Sequence, residues 1–532
     1  MKLNRLTSLD LARCHISALL ISGMGFFTDA YNLFCIPPIS QLLGRIYYDD
    51  VLPIHVKAFV NGIALCGAFV GHLFFGWLGD KIGRKKLYGI NLVIMISTSI
   101  GSGFSIGRSR ESVITSLCFF RFWLGFGIGG DFPVSATIMA EFSSAETRGA
   151  FMAAVFAMQG AGILCGSLVA MIVSACFQAA FHDLTFGQKD IVWRIILMLG
   201  AIPAGLTYYW RMKVPETAAS VAKTAEKSTA DMSEVMGVPI EEDNTKVSRK
   251  EKRKPSYGLL SKDFLKNHGR HLLGTMSCWF FVDIPLYSSN LYQKDVYKAI
   301  GWLKKSEEYN NPLDEVFNIA KEQALVAICG TLPGCVLTVF LIDRIGRLPL
   351  QLLGFLFISV LCLAMALSYD NFFYKGADRY GFLTIYTLTF FVTMFGPNTT
   401  SFIVPAELFP ARFRSTCNGI SGAAGKAGAI VGVFGLVYAA QPKNKNSPYL
   451  EKGYPTGEGG RMVFIVLAVA SFMGFLCTFL IPETNGMSLE ETEGESVTES
   501  CTTTGYTELS VDTNNKAKES SPVSVNNYSS QV

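Results

Sequence analysis

The sequence predicts an all-α membrane protein: twelve transmembrane helices in two pseudo-symmetric six-helix halves, with the N- and C-termini cytoplasmic. Three observations lead there. Half of the 532 residues are apolar, charged residues are only 17%, and mean hydropathy is +0.33, outside the range of soluble domains. Apolar runs long enough to cross a hydrocarbon core, about 20 residues, recur 12 times. Motifs of the first half of the chain also reappear in the second.

The first run, 16–40, carries Asp29 and is bent or ended by Pro37-Pro38. Because it continues as a full span, it does not read as a cleavable leader. Runs 58–79 and 87–107 flank a loop, Asp80-Lys-Ile-Gly-Arg-Lys-Lys86, with four cations. Run 113–140 is Leu, Phe, Ile, Val, Met and Gly around a single carboxylate, Asp131, with Gly127, Gly129 and Gly130 beside it. An ionisable group at bilayer depth is costly and usually marks a substrate, ion or proton path; the plainer role is a tie between two helices. Runs 149–180 and 191–211 complete the first half, residues 1–211.

A hydrophilic linker, 212–269, follows and ends in Lys246-Val-Ser-Arg-Lys-Glu-Lys-Arg-Lys254. This run suits anionic lipid, although a solvated, topology-setting loop accounts for it as well. The second half, 270–481, holds runs 270–292, 322–342, 348–369, 380–405, 416–440 and 461–481. Basic loops follow the even-numbered spans, as in Asp343-Arg-Ile-Gly-Arg347 and Arg412-Phe-Arg414, which places them, the linker and both termini in the cytoplasm. The tail, 482–532, is rich in Ser, Thr and Asn with an acidic patch at 490–495; it reads as disordered and offers hydroxyls to a regulatory kinase. Most of the 13 cysteines fall inside spans and no CxxC spacing occurs, so neither disulfides, metal nor cofactor is implied.

The repetition is specific. Asp80-x-x-Gly-Arg84 returns as Asp343-x-x-Gly-Arg347, Glu141…Arg148 as Glu407…Arg414, and Gly-Phe-Phe-Thr-Asp29 echoes Trp-Phe-Phe-Val-Asp283. Pro-Glu-Thr recurs at 215–217 and 482–484, an offset of 267 that carries Asp131 onto Asn398 and Gln159 onto Lys426. Parallel repeats with a midplane site between them are a transporter plan. Acid and amide on one side, facing amide and cation on the other, suit an asymmetric polar substrate.

These features resemble the major facilitator superfamily, whose signature gating loops look like Gly79–Lys86 and its copy near Asp343. At closer range, GGDFPVSATIMAE (129–141), GFFTDAYNLFC (25–35), Trp279-x3-Asp283-x3-Tyr287 and FGPNTTSFIVPAELFPARFRST (395–416) are similar to signatures of the plant high-affinity phosphate/proton symporters. The resemblance runs through all twelve spans and implies the major facilitator fold and proton-coupled uptake of inorganic phosphate across the plasma membrane. It also implies arsenate as a mimic.

The resemblance makes Trp279, Asp283, Tyr287, Gln159 and Asn398 the phosphate shell. Spacing alone puts Trp279, Asp283 and Tyr287 on one helix face, where an indole N–H, a carboxyl and a phenol converge; the alternative for the aromatics is an interfacial belt. Asp29, Asp131 and Asp283 cannot all carry charge beside an anion in a low-dielectric site, so a proton is expected to travel with the phosphate. Asp131 is assigned as the main carrier, paired with Arg121 on the same helix, with Asp29 second. Lys426 needs a carboxylate partner, and Asp29 is the expected one. Asp80, Arg84, Glu141, Arg148, Asp343, Arg347, Glu407 and Arg414 lie at cytoplasmic span ends, where the superfamily latches its halves; simple topology and lipid anchoring is the alternative. Pro133 and Gly396-Pro397 are expected to kink or unwind helices beside the site.

Two positions depart from the plant pattern. Phe132 stands where Tyr is usual, removing one hydroxyl from the substrate shell, and Asn32 stands where Asp is usual. Rival functions are a sugar porter, which would need a Gln-Gln pair in the seventh span, and a phosphate sensor without net transport. No nucleophile–base set or phosphate-cradling loop suggests an enzyme.

Overall fold

The computed structural model describes residues 8–48, 52–181, 185–213, 258–259, 261–299, 301–304, 306–369, 379–435, 458–487 and 489. The basic run Lys246–Lys254 and the tail from Glu490, with its kinase acceptors, lie outside the described residues.

The first half comprises α1 (Ser8–Phe34), α2 (Ile36–Tyr47), α3 (Ile54–Ile82), α4 (Arg84–Gly103), α5 (Arg110–Phe142), α6 (Arg148–Ala180), α7 (Phe186–Leu199) and α8 (Ala201–Lys213). The second comprises α9 (Lys262–Leu291), α10 (Gln293–Ala299), α11 (Pro312–Val326), α12 (Leu332–Ile345), α13 (Arg347–Leu367), α14 (Arg379–Phe395), α15 (Pro397–Leu408), α16 (Arg414–Ile430) and α17 (Glu458–Thr478). Eight helical stretches among the described residues are long and apolar enough to cross a membrane. The other four expected spans coincide with α1, α4, α9 and α16, whose apolar runs are diluted by polar side chains such as Asp29, Asn91, Asp283 and Lys426.

Several expected spans are broken helices. The first breaks at Cys35, and Pro37 and Pro38 then occupy the opening positions of α2, where a missing N–H costs nothing. The sixth divides at Gly200 and the tenth at Gly396, where the backbone turns at φ −131° and ψ −91° before Pro397 opens α15. Pro133 does not break α5, which runs without interruption from Arg110 to Phe142. Short π-helical stretches at Ala327–Thr331 and Val431–Gly435 interrupt the eighth and eleventh spans.

Small residues set the helix spacing in the absence of a hydrophobic drive between lipid-solvated helices. A Cβ on Gly67 would lie 1.9 Å from Phe122 O and one on Gly125 1.8 Å from Ala64 O, so α3 and α5 touch backbone to backbone. The same device joins the two halves: a Cβ on Gly419 of α16 would lie 2.4 Å from His72 O of α3. The large apolar residues turned outward, such as Phe74, Trp77, Ile172, Phe340 and Val469, face the position of the bilayer.

Candidate functional site

Three polar layers join the halves: one at the centre and one at each end.

In the centre, Arg211 Nη1 donates to Asp131 Oδ1 at 2.8 Å and Nη2 to Oδ2 at 2.9 Å, a bidentate pair with both side chains fully enclosed. Ser135 Oγ adds a 3.2 Å bond to the same carboxylate, and Tyr88 places its ring 4.0 Å from the guanidinium. Gly25 makes the approach possible, since a Cβ there would lie 1.7 Å from Arg211 Nη2. The expected Asp131–Arg121 pair is therefore corrected. Ten residues along a helix is a rise of about 15 Å, beyond side-chain reach, and Arg121 instead donates to Asn32 O at 2.7 Å. Asn32 itself is spent on Thr28 O at 3.0 Å and on the Ser99 hydroxyl at 3.2 Å.

Lys426 is the other central cation. Its Nζ donates to Asp283 Oδ2 and to Tyr287 Oη, each at 2.8 Å. The expected pairing with Asp29 is replaced by one inside the same half, because Asp283 and Tyr287 occupy the face of α9 that α16 packs against. Asp29 is buried with no hydrogen-bond donor on either oxygen, within electrostatic reach of Asp131, Arg211 and Lys426. Trp279 completes the α9 face, packed so that a Cβ on Gly425 would lie 2.4 Å from its ring. Gln159 and Asn398, which are not each other's repeat counterparts, meet across the halves, Asn398 Nδ2 donating to Gln159 Oε1 at 3.3 Å.

Phe132 lies between these groups. Its ring is 5.5 Å from Lys426 Nζ and belongs to a cluster with Phe26, Phe156 and Phe402, the last contributed by the second half. Phe156 and Phe402 stack at 4.7 Å.

The cytoplasmic layer brings together all eight charges expected there. Asp80 accepts from Thr416 N at 2.8 Å and Thr416 Oγ1 at 2.7 Å, capping the N-terminus of α16 in the opposite half. Asp343 accepts from Ala150 N at 2.7 Å, capping α6 in the same way. Arg84 pairs with Glu141 and donates to Ala411 O at 3.2 Å, and Arg414 reaches Glu141 at 3.0 Å. Arg347 takes Asp343 at 2.9 Å and both oxygens of Glu407, at 3.1 and 2.8 Å; Arg148 donates to Met487 O at 3.1 Å. Glu483, from the second Pro-Glu-Thr copy, caps α13 through Arg347 N and Leu348 N at 3.0 and 2.9 Å.

The outer layer was not anticipated. Lys294 of α10, 3% exposed, donates across the halves to Ser40 Oγ at 2.9 Å and Gln41 Oε1 at 3.2 Å. Lys57 pairs with Asp295, Arg45 with Glu315 at 3.4 Å, and Arg45 also donates to Tyr309 O at 2.9 Å. Burial, with Lys57 and Lys298 nearby, pushes the Lys294 ammonium down to about 7 despite the opposing pull of Asp295 and Glu315. Arg211, the last residue of the sixth expected span, was also missed. The signal available for it was a lone arginine closing a span in a half that holds an unpaired buried acid.

Chemically, the centre offers two caged cations, three carboxylates and aromatic walls, with a bonded layer above and below. Such a set of paired cations and acids can interact with a small anion.

Comparison with known proteins fits this layout. The sugar (and other) transporter family matches residues 24–495. The probable inorganic phosphate transporter 1-3 of Arabidopsis thaliana is 53% identical over 93% of this chain and 98% of its own. The low affinity inorganic phosphate transporter 3 of Petunia hybrida is 54% identical over 93% of this chain and 95% of its own. Among solved structures, the proton:xylose symporter XylE bound to 6-bromo-6-deoxy-D-glucose matches with a TM-score of 0.67 and 18% identity, covering 91% of this chain and 99% of that one. At that identity the likeness establishes the fold alone.

Proposed function

We propose, for a chain that belongs to the sugar (and other) transporter family and within it to the plant inorganic phosphate transporters, that each phosphate crosses together with protons held on Asp131 and Asp29. The protein is a multi-pass membrane transporter of inorganic phosphate and not an enzyme. What the family leaves open is how the ion is held and what drives it.

The observation that carries the coupling is the charge arrangement of the centre. Asp29, Asp131 and Asp283 face Arg211 and Lys426, and each cation already holds an acid. An incoming phosphate competes with Asp283 for Lys426, and a carboxylate displaced in a buried site is left without compensation. Adding an anion to this set without a proton is therefore unfavourable, and adding the two together is not. Asp29, with no donor on either oxygen, offers the proton a second seat.

Trp279, Asp283, Tyr287, Gln159 and Asn398 form the substrate shell in this reading, with Phe132 as its apolar wall. Breaking the Asp80 and Asp343 caps opens the cytoplasmic side as residues 1–211 rock against residues 270–481, while the Lys294 layer opens the outer side. The plasma membrane is the site of action, arsenate crosses as a mimic, and a kinase acting on the tail regulates the carrier. Labelled phosphate uptake at pH 5 and pH 8, in cells lacking their own carriers, tests the coupling. Uptake that is stronger in acid, collapses with a protonophore and disappears in Asp131→Asn and Asp283→Ala is the expected result; protonophore-insensitive uptake rejects it.

A further inference from the structure

His72 is a buried, half-used polar group at the point where α3 and α16 cross. Its side chain is 0% exposed. Nδ1 lies 2.8 Å from Ala68 O, which can only accept, so Nδ1 carries the hydrogen and in the neutral ring Nε2 presents a lone pair. Nε2 has no partner. Gly422 leaves room for it, since a Cβ there would lie 2.7 Å from Nε2, and Lys426 follows one helical turn later on α16. The ring is 5.5 Å from that of Phe132 and 6.4 Å from that of Trp279. His72 thus borders the same compartment as Lys426, Asp283 and Trp279.

An imidazole kept only to fill space would carry an unnecessary cost, because a buried acceptor left unmade is unfavourable and an apolar ring fills the volume without it. Beside Lys426 a second acceptor is also left over, Asp283 Oδ1. A cation held by one acid and flanked by two unsatisfied acceptors suits a ligand that is anionic and also carries hydrogen-bond donors. Protonated phosphate has P–OH groups; sulfate near neutral pH has none.

We infer that His72 is a specificity-determining residue: its Nε2 accepts a hydrogen bond from a P–OH group of bound phosphate and, with Asp283 Oδ1, excludes fully deprotonated tetrahedral anions. This rests on the reading that protonated phosphate occupies the compartment. Lys426 supplies the attraction that any small anion would share, and His72 and Asp283 supply the discrimination.

The test is labelled phosphate uptake by purified protein in vesicles, with and without a roughly hundredfold excess of sulfate. Wild type should ignore sulfate. His72→Phe, which keeps the ring but removes both nitrogens, should raise KM for phosphate about tenfold with a smaller change in kcat, the scale of one lost hydrogen bond. His72→Gln, whose amide can donate as well as accept, should keep phosphate uptake and become inhibited by sulfate. A His72→Phe carrier with wild-type KM and wild-type indifference to sulfate overturns the inference. Should His72→Phe fail to assemble, His72→Gln decides alone: sulfate inhibition supports the role, and its absence rejects it. Wild-type vesicles that move no phosphate would instead reject the underlying reading of the compartment.

Discussion

Arg211 holds both carboxylate oxygens of Asp131 from a neighbouring helix, at 2.8 and 2.9 Å, with neither side chain open to solvent. Because each charge is the other's compensation, the pair fails asymmetrically.

Removing one partner leaves a buried charge alone, which costs about 3–5 kcal/mol. Arg211→Met should therefore lower the thermal stability of the purified protein sharply, and Asp131→Asn should do so by a similar amount. The double variant should recover much of the lost stability while uptake stays absent. Melting temperatures that fall additively across the three proteins would count against the pairing.

Gly25 is expected to behave as part of the same pair. A Cβ at this position would meet Arg211 Nη2 at 1.7 Å and Asp131 Oδ2 at 2.3 Å. Gly25→Ala must displace the guanidinium, so it should lose uptake to nearly the extent of Arg211→Met, although an exposed helical Gly→Ala change normally stabilises. Wild-type uptake by Gly25→Ala is the contrary result.

The outer layer should respond to pH through Lys294. Its ammonium titrates at about 7 when enclosed among Lys57, Asp295, Lys298 and Glu315, and near 10.4 when solvated, the ordinary lysine value. The closed layer thus binds fewer protons than the open one between these values. Closure is stabilised as pH rises above about 7, by up to tenfold in population per pH unit, and that advantage is lost as pH falls to 7. Spin labels at Glu111 and Tyr380, exposed outer positions on the two halves, should report a longer distance at pH 7 than at pH 8.5. Lys294→Met should remove this dependence.

The cytoplasmic caps should open independently. Asp80→Asn and Asp343→Asn each weaken one charged cap across the interface, on the order of 1 kcal/mol. Since they act on different helices, their effects should add in the double variant. Labels at Lys86 and Arg344 should move apart in each single variant and further in the double; no change in any of them would mean the caps do not latch the halves.

The repeat was visible in the residues themselves, because each copy of the gating loop must satisfy an equivalent helix N-terminus in the other half. Asp80 and Asp343 each bond the third residue of a helix, Thr416 and Ala150, in the other half. The α9 face was legible for a similar reason, as i, i+4 spacing is geometry. Partners across helices were not. Asp131 had several cations within a plausible chain distance, and only packing brings Arg211 to it in place of Arg121. Lys294 and Ser40 are separated by 254 residues, and nothing local marks either. Pro37-Pro38 and Gly396-Pro397 marked the breaks at Cys35 and Gly396, whereas the break at Gly200 passed unnoticed because an apolar run keeps its hydropathy when its axis changes direction.

The four phenylalanines at the centre have an electrical consequence. Phe26, Phe132, Phe156 and Phe402 close ring against ring where the halves meet, with centroids 4.7 to 6.5 Å apart. Rings offer no sites along which a file of water molecules can pass hydrogens from one to the next. Under the coupling proposed above, a proton would cross this ring cluster only when a bound cargo forces the rings apart. If protons travel with phosphate as proposed above, Phe132, for all that it lacks a hydroxyl, is one of the four rings across which an idle carrier would have to leak.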